Sequence, residues 1–188
     1  MSLTLAFKEQ LAARAAEEEL VDAAYDYVKT PLGRLLVAQT TAGVCAIGFE
    51  NHPDALLLAR ISARIGPRVV RSANITGEAR ASLQAYLEGE RVDLPLPVDD
   101  TLVTSAFQRN VLHAAAGVRP GSVITYGRLA LAIGHPRAAR AVGTALARNP
   151  IPLLLPCHRV VPSTGGVGNY GGGADLKVAL LRLEGAIP

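Results

Sequence analysis

Thr125-Tyr126-Gly127-Arg128-Leu129-Ala130-Leu131-Ala132-Ile133-Gly134-His135-Pro136-Arg137-Ala138-Ala139-Arg140-Ala141-Val142-Gly143-Thr144-Ala145-Leu146-Ala147 decides the fold of this chain. One helix opens at residues 125–128 and runs to residue 133. Gly134-His135-Pro136 makes a tight turn, with Pro136 placed at the entrance of a second helix. Helix, short glycine turn, helix is the helix-turn-helix outline, which other helical hairpins share. In the second helix Ala138, Ala141, Val142, Ala145 and Leu146 recur at helical spacing and face a core. The opposite side presents Arg140, Gly143, Thr144 and Ala147. An ordinary solvated face would carry Lys and Glu there, and Gly lowers helix stability. Small residues around one long cation suit close approach to another surface, and DNA is the natural candidate. Packing against the chain's own N-terminal half would explain the small residues but not the arginine.

Downstream, Asn149-Pro150 ends the helix and a short apolar run leads into Pro156-Cys157-His158-Arg159-Val160-Val161. An Asn in that place reads first as a C-cap tolerating left-handed geometry. Cys is a nucleophile only as thiolate, so a neighbouring base and positive charge are what its chemistry requires. An isolated Cys-His pair reads as a structural cysteine beside a core histidine; here the flanking chain shifts the balance. In an extended segment Cys157 and His158 point to opposite faces, so activation runs through a bridging water or a turn. Residues 175–184 read as a helix with Asp175 near its start and Gly185 as terminator. Glu184 shares a stripe with Leu176 and Leu180 and sits at the end of that helix, where the macrodipole disfavours an anion. A carboxylate that breaks two local rules wants a cationic or proton-donating partner, and His158 is the obvious one. Solvent exposure by fraying is the alternative.

Upstream, residues 1–24 read as a polar-rich helix of no assigned function. Residues 25–29, 35–39 and 44–49 are β-rich runs separated by turns, predicting a small antiparallel meander. Residues 54–65 and 77–87 read as helices, the latter with Thr76 as N-cap, and residues 91–97 form a Pro-punctuated link. The expected organisation is an extension over 1–24, a first domain over 25–98 and a second over 99–188, in an α+β fold. The 188 residues suffice for such cores, with no Trp and few aromatics to fill them. From Thr101 onward nine basic residues face only Asp175 and Glu184, a net charge of +7, against −4 for the rest. That asymmetry suits a polyanion partner for the second half, unless the arginines are simply solvated. The charged N-terminal residues exclude a secretory signal, and no apolar run reaches membrane-spanning length. Two distant cysteines and four scattered histidines give no zinc framework, which fits a reducing, intracellular setting. Gly166-Val167-Gly168-Asn169-Tyr170-Gly171 matches a dinucleotide-binding pattern formally, but no strand leads directly into it. These glycines read instead as a pliable wall around a pocket near Cys157, with Tyr170 its one large side chain.

Tyr126, the run from Ala138 to Gly143, Asn149-Pro150, Pro156 to Val161, Gly168-Asn169-Tyr170, Lys177 and Leu180-Leu181-Arg182-Leu183-Glu184-Gly185 together resemble the O6-alkylguanine-DNA alkyltransferase family. The match covers residues 107–184, and residues 29–49 resemble that family's N-terminal sheet more weakly. The resemblance implies a ribonuclease-H-like N-terminal domain and a winged helix-turn-helix C-terminal domain. It implies single-turnover DNA repair, in which an alkyl group passes from O6-alkylguanine, and from O4-alkylthymine, to a cysteine. Cys157 would be the acceptor, His158 a base acting through water, Glu184 its orienting partner, and Asn149 a brace for the turn. Tyr126 would hydrogen-bond or protonate the departing guanine. Arg140 would fill the gap left by a flipped nucleotide, with Arg137, Ala139, Gly143, Thr144 and Tyr126 also against DNA. Pro152, Val160, Gly168, Asn169, Tyr170 and Gly171 would line the base pocket. The implied partner is double-stranded DNA holding an alkylated guanine; no metal, cofactor or membrane is implied, and the protein would be monomeric and cytoplasmic, or nuclear in a eukaryote. Leu112 replaces a frequent Trp, Val118-Arg119 a frequent Ile-Pro, and Gly171 a frequent Ser that would bond the base. A DNA-binding relative without repair activity and a helix-turn-helix regulator with a merely buried Cys157 are the rival readings.

Overall fold

The three β-rich runs of the first half pair in sequence order, because two short turns return each strand against its predecessor. In the computed structural model, which describes residues 4–17 and 20–188, β1 (Ala23–Thr30), β2 (Gly33–Thr40) and β3 (Gly43–Phe49) form the antiparallel meander. Register is set by the turns, with Thr30 opposite Gly33 and Thr40 opposite Gly43. A fourth strand, β4 (Val69–Arg71), joins the free edge of β1 in parallel, giving the order β3-β2-β1-β4. The expected antiparallel sheet is therefore mixed; three residues are too few to show period-two alternation.

Two compact units emerge, Met1–Gln84 with Leu96–Leu102, and Ala85–Pro95 with Val103–Pro188. In the first, α2 (Asp54–Arg64) covers one sheet face through Ile61, packed among Leu36, Ala38, Cys45, Ala46 and Leu102. The expected helix over 1–24 is found as α1 (Leu5–Glu17); residues 1–3 and 18–19 lie outside the described residues. Ala23 and Ala24 belong instead to β1, where pairing with Val69 and Val70 buries them. Glu9 of α1 accepts from Ser72 Oγ at 2.7 Å and Ala73 N at 2.9 Å. Thr76, expected to cap α3 (Gly77–Leu87), instead donates to the Ser72 carbonyl and accepts from Arg80 Nε. No helix among the described residues is long and apolar enough to cross a membrane.

The second unit contains α4 (Ala106–Ala116), β5 (Ile124–Thr125), α5 (Tyr126–Ala132), α6 (Ala139–Ala147), a 3-10 turn at Cys157–Arg159, β6 (Val160–Val161) and α7 (Ala174–Leu183). Ser105 caps α4 by accepting from Gln108 N, and Thr125 caps α5 by accepting from Arg128 N, as β-region residues with side-chain oxygens should. α5 and α6 are the two helices of the expected pair, and both pack on α4. Pro136 does not enter α6: it forms a turn with Arg137, and Ala138 takes the N-cap position. Val142, Ala145 and Leu146 point inward as expected, each large side chain worth about 2 kcal/mol of burial. Ala141 is exposed, because the core-facing stripe of so short a helix is narrower than the sequence periodicity suggests.

Candidate active site

Gln108 determines where α6 stops. Its amide donates to the carbonyls of Ala145 at 3.1 Å and Arg148 at 3.0 Å, acceptors that the helix end leaves over. The chain then curls rather than extends. Asn149 Oδ1 accepts from Ile151 N at 3.0 Å, while its Nδ2 donates to the Leu155 carbonyl at 2.7 Å and to Cys157 Sγ at 3.2 Å. Asn149 is thus a tie inside the loop; the left-handed residue is Leu153, at φ 75°. A non-glycine residue held there persists only where its surroundings over-determine it, and here the Asn149 bonds and the two flanking prolines do so.

This curl delivers Cys157 into a 3-10 turn, one of the two alternatives the sequence leaves open, so the thiol and imidazole are not forced to opposite faces of a strand. Cys157 is 8% exposed, and His158 is fully buried. Burial pushes the thiol pKa up, while the Asn149 amide, the Lys177 ammonium and the backbone N–H groups of Cys157 and His158 pull it back. His158 Nε2 lies 2.9 Å from Glu184 Oε1, whose side chain is 1% exposed. The carboxylate accepts from Arg159 Nη2 at 2.8 Å and Nε at 3.0 Å, and from the Tyr86 hydroxyl. Burial opposes its ionisation, but the His158, Arg159 and Tyr86 bonds outweigh this and hold its pKa at about 2. An ionised Glu184 can only accept, so His158 Nε2 carries the proton and Nδ1 the lone pair. Nδ1 is buried with no hydrogen-bond partner among the described residues. Burial lowers the imidazole pKa, with Glu184 opposing.

Glu184 itself follows the last turn of α7, and Gly185 after it adopts φ 73°, the left-handed terminator expected. The buried stripe of α7 runs Lys177, Leu180, Leu181 and Glu184, so Leu176 lies off it. Lys177 is fully buried, donates to the Val160 carbonyl at 2.7 Å and sits 5.9 Å from the Tyr126 ring centre. Desolvation brings its pKa down to about 8.

Cys157 forms part of the wall of a cavity of about 790 Å³. Tyr126, Ala139, Arg140, Gly143 and Thr144 form one side of it, and Gly168, Asn169, Tyr170 and Gly171 another, so the small-residue face of α6 and the glycine loop meet at the thiol. Tyr126 is a second large ring beside Tyr170, which was expected to be alone. Burial and then the Cys157 sulfur raise the Tyr126 pKa, keeping its phenol a donor. Gly168, at φ 73°, could not be replaced cheaply: a Cβ would meet Pro162 Cγ at 2.9 Å. Arg140 is exposed on the cavity side of α6, whereas Arg137 is exposed in the preceding turn and is not part of the wall. Val160 and Pro152, expected in the pocket, are buried and are not wall residues: Val160, in β6, pairs with Ile124 of β5, and Pro152 lies in the loop that Asn149 ties. Among the described residues no cluster of three or more His, Cys, Asp or Glu could hold a metal ion.

Arg159, Lys177 and Tyr86 belong to the site without having been assigned a role from sequence, as do the wall residues Pro162, Ser163 and Thr164. Lys177 had a usable signal, since it breaks the apolar stripe of α7 just as Glu184 does. Tyr86 had none, lying 98 residues from its partner.

Two family models match the chain: 6-O-methylguanine DNA methyltransferase, ribonuclease-like domain, over residues 23–99, and 6-O-methylguanine DNA methyltransferase, DNA binding domain, over residues 106–186. A methylated-DNA–protein-cysteine methyltransferase of Methanosarcina barkeri is 36% identical over 162 residues, covering 85% of this chain and 96% of that protein. The protein of the same name from Salmonella typhimurium is 38% identical over 164 residues, covering 84% and 93%. The crystal structure of Mycobacterium tuberculosis O6-methylguanine methyltransferase superposes with a TM-score of 0.74 at 30% identity, covering 87% of this chain and 93% of that one. A structure of the Mycobacterium tuberculosis protein in complex with DNA gives 0.74 at 31% identity with the same coverage. With both domain models matched in order and relatives similar over nearly their whole length, the chain belongs to the 6-O-methylguanine DNA methyltransferase family.

Proposed function

We propose that this protein repairs DNA by transferring an alkyl group from the O6 atom of guanine, and from O4 of thymine, to Cys157, once per molecule. It is a DNA-repair protein of the methylated-DNA–protein-cysteine methyltransferase class, and DNA is its partner. The observation that carries the residue assignment is the placement of Cys157 in the wall of the cavity onto which the Arg140 face of α6 opens.

His158, held with Nε2 on Glu184, takes the thiol proton at Nδ1 through a bridging water. The thiolate sulfur attacks the alkyl carbon in line with the C–O bond; the C–S bond forms as the C–O bond breaks, and the electron pair leaves on guanine. Tyr126 hydrogen-bonds or protonates that departing base. Sulfur can approach only if the base is outside the stack. Arg140 fills the vacated space, and close approach of DNA to Ala139, Gly143 and Thr144, with Arg137 nearby, offsets the few kcal/mol of extrusion. Tyr170, Asn169, Gly168 and Gly171 surround the flipped base, and Asn149 braces the turn that presents the thiol. The product is an alkyl thioether, whose thiolate is a poor leaving group, so each molecule acts once. A monomer working in the cytoplasm, or in the nucleus of a eukaryote, completes the reading.

Incubation with an oligonucleotide containing benzylated or methylated guanine, followed by intact mass measurement, should show one alkyl group per chain, on Cys157. An unmodified mass despite tight DNA binding would favour a binding-only protein or a regulator. Arg140→Ala tests the wedge. Repair of duplex DNA should slow by about tenfold to a hundredfold, as expected for losing a few kcal/mol of extrusion support. Reaction with free benzylguanine should change less than twofold. Equal losses on the two substrates would assign Arg140 to folding instead.

A further inference from the structure

We propose that Tyr86 is a positioning residue for alkyl transfer: its hydroxyl pins the Glu184 oxygen that holds His158, and so keeps the imidazole neutral with Nδ1 available as base. This rests on the alkyl-transfer reading above. Glu184 Oε1 accepts from three groups at once, the Tyr86 hydroxyl, His158 Nε2 at 2.9 Å and Arg159 Nη2 at 2.8 Å, while Oε2 accepts Arg159 Nε at 3.0 Å. Tyr86 is 2% exposed and its own pKa is driven up, first by burial and then by Glu184, so the phenol stays protonated and donates. A hydrogen bond from a neutral donor to a buried carboxylate is charge-assisted, and it draws negative charge from the oxygen facing His158. A carboxylate shared in this way stabilises imidazolium less than one bonded to His158 alone.

The other groups around the imidazole are few. Glu184 and Lys177 face it from α7, Arg159 and Cys157 from its own turn, and the Tyr170 ring lies edge-on at 6.3 Å. Burial, Arg159 and Lys177 favour the neutral form, and Glu184 opposes them. Tyr86 acts by tempering that single opposing group. It reaches the site from the last turn of α3, in the 85–95 segment that packs with the second unit, ahead of the DNA-binding match at 106–186.

The test is Tyr86→Phe in the full chain, reading consumption of free benzylguanine across pH together with the His158 ring titration by nitrogen NMR. Without the hydroxyl the imidazole becomes more basic. The rate on the acid limb should fall about threefold, with little change on the plateau above it, and the acid limb and the ring titration should both move up by about half a pH unit. A parent protein that does not react would refute the alkyl-transfer reading itself. A reacting parent with an unshifted variant would refute the role of Tyr86 alone, as would a lower rate at every pH without movement of the limb. If the Phe variant does not fold, Tyr86→3-fluorotyrosine retains ring and hydroxyl as a stronger donor. It should move the limb downward, and an unmoved limb overturns the proposal.

Discussion

Cys157→Ser should reduce adduct formation from one alkyl group per chain to none, while leaving the fold and DNA binding intact. A serine hydroxyl does not ionise under conditions where the thiolate forms, so neither the Lys177 charge nor the His158 base can make it a comparable nucleophile. The oxygen can still accept from Asn149 Nδ2, which now reaches the sulfur at 3.2 Å, so the loop keeps its tie. The other cysteine cannot substitute. Cys45 lies in the apolar core of the first unit, where burial and then Asp99 push its pKa up to about 12. Intact mass before and after exposure to alkylated DNA, with DNA affinity measured in parallel, makes the check. An adduct on the serine variant would move the acceptor elsewhere and remove the basis of the mechanism.

Glu184→Gln should carry the largest stability effect of any change at the site. The carboxylate neutralises Arg159, which is 7% exposed, and accepts from His158 and Tyr86 in the same buried space. Removing one member of such a group leaves an uncompensated charge indoors and costs about 3–5 kcal/mol. Repair should fall with it by roughly a hundredfold, since the amide can donate to Nε2 and favour the wrong tautomer. The pH dependence has a definite sign. Glu184 has a folded pKa of about 2 against an ordinary 4.5, so the unfolded chain binds its proton first. Its stabilisation is complete above pH 4.5 and is lost as pH falls from there toward 2. His158, whose folded pKa is lowered, adds a loss in the same direction as pH falls through 6.5. Urea unfolding at neutral pH and near pH 3 should show the Gln variant losing less than the parent over the Glu184 window. Equal acid losses in the two proteins would show that this carboxylate is not the anchor.

What could be read locally was read where one short segment contained both halves of a relationship. Thr125, at the opening of its helix, bonds three residues ahead, the β1–β2–β3 turns join immediate neighbours, and Gly185 ends the helix it adjoins. Errors arose where a local rule met a distant partner. An Asn at a helix end reads as a C-cap, but the Asn149 side chain instead ties the following loop through Ile151, Leu155 and Cys157. Thr76 looked like a cap, but the Ser72 carbonyl takes its hydroxyl. Val160 and Pro152 lie between pocket residues in sequence yet are buried away from the cavity, Val160 because β6 pairs with β5.

The sequence alone determined the chemistry available: one thiol beside an imidazole, a carboxylate out of place on an apolar stripe, and a helix whose outer face is too small and too cationic for solvent. Side-chain type and helical period carry that information without reference to the rest of the chain. Only the tertiary structure decided which donors share the Glu184 carboxylate, that Lys177 is buried beneath Tyr126, and that the thiol opens onto the α6 face. Those facts depend on packing between segments up to 98 residues apart, and burial, which sets each group's proton affinity, exists only once such segments have closed over one another.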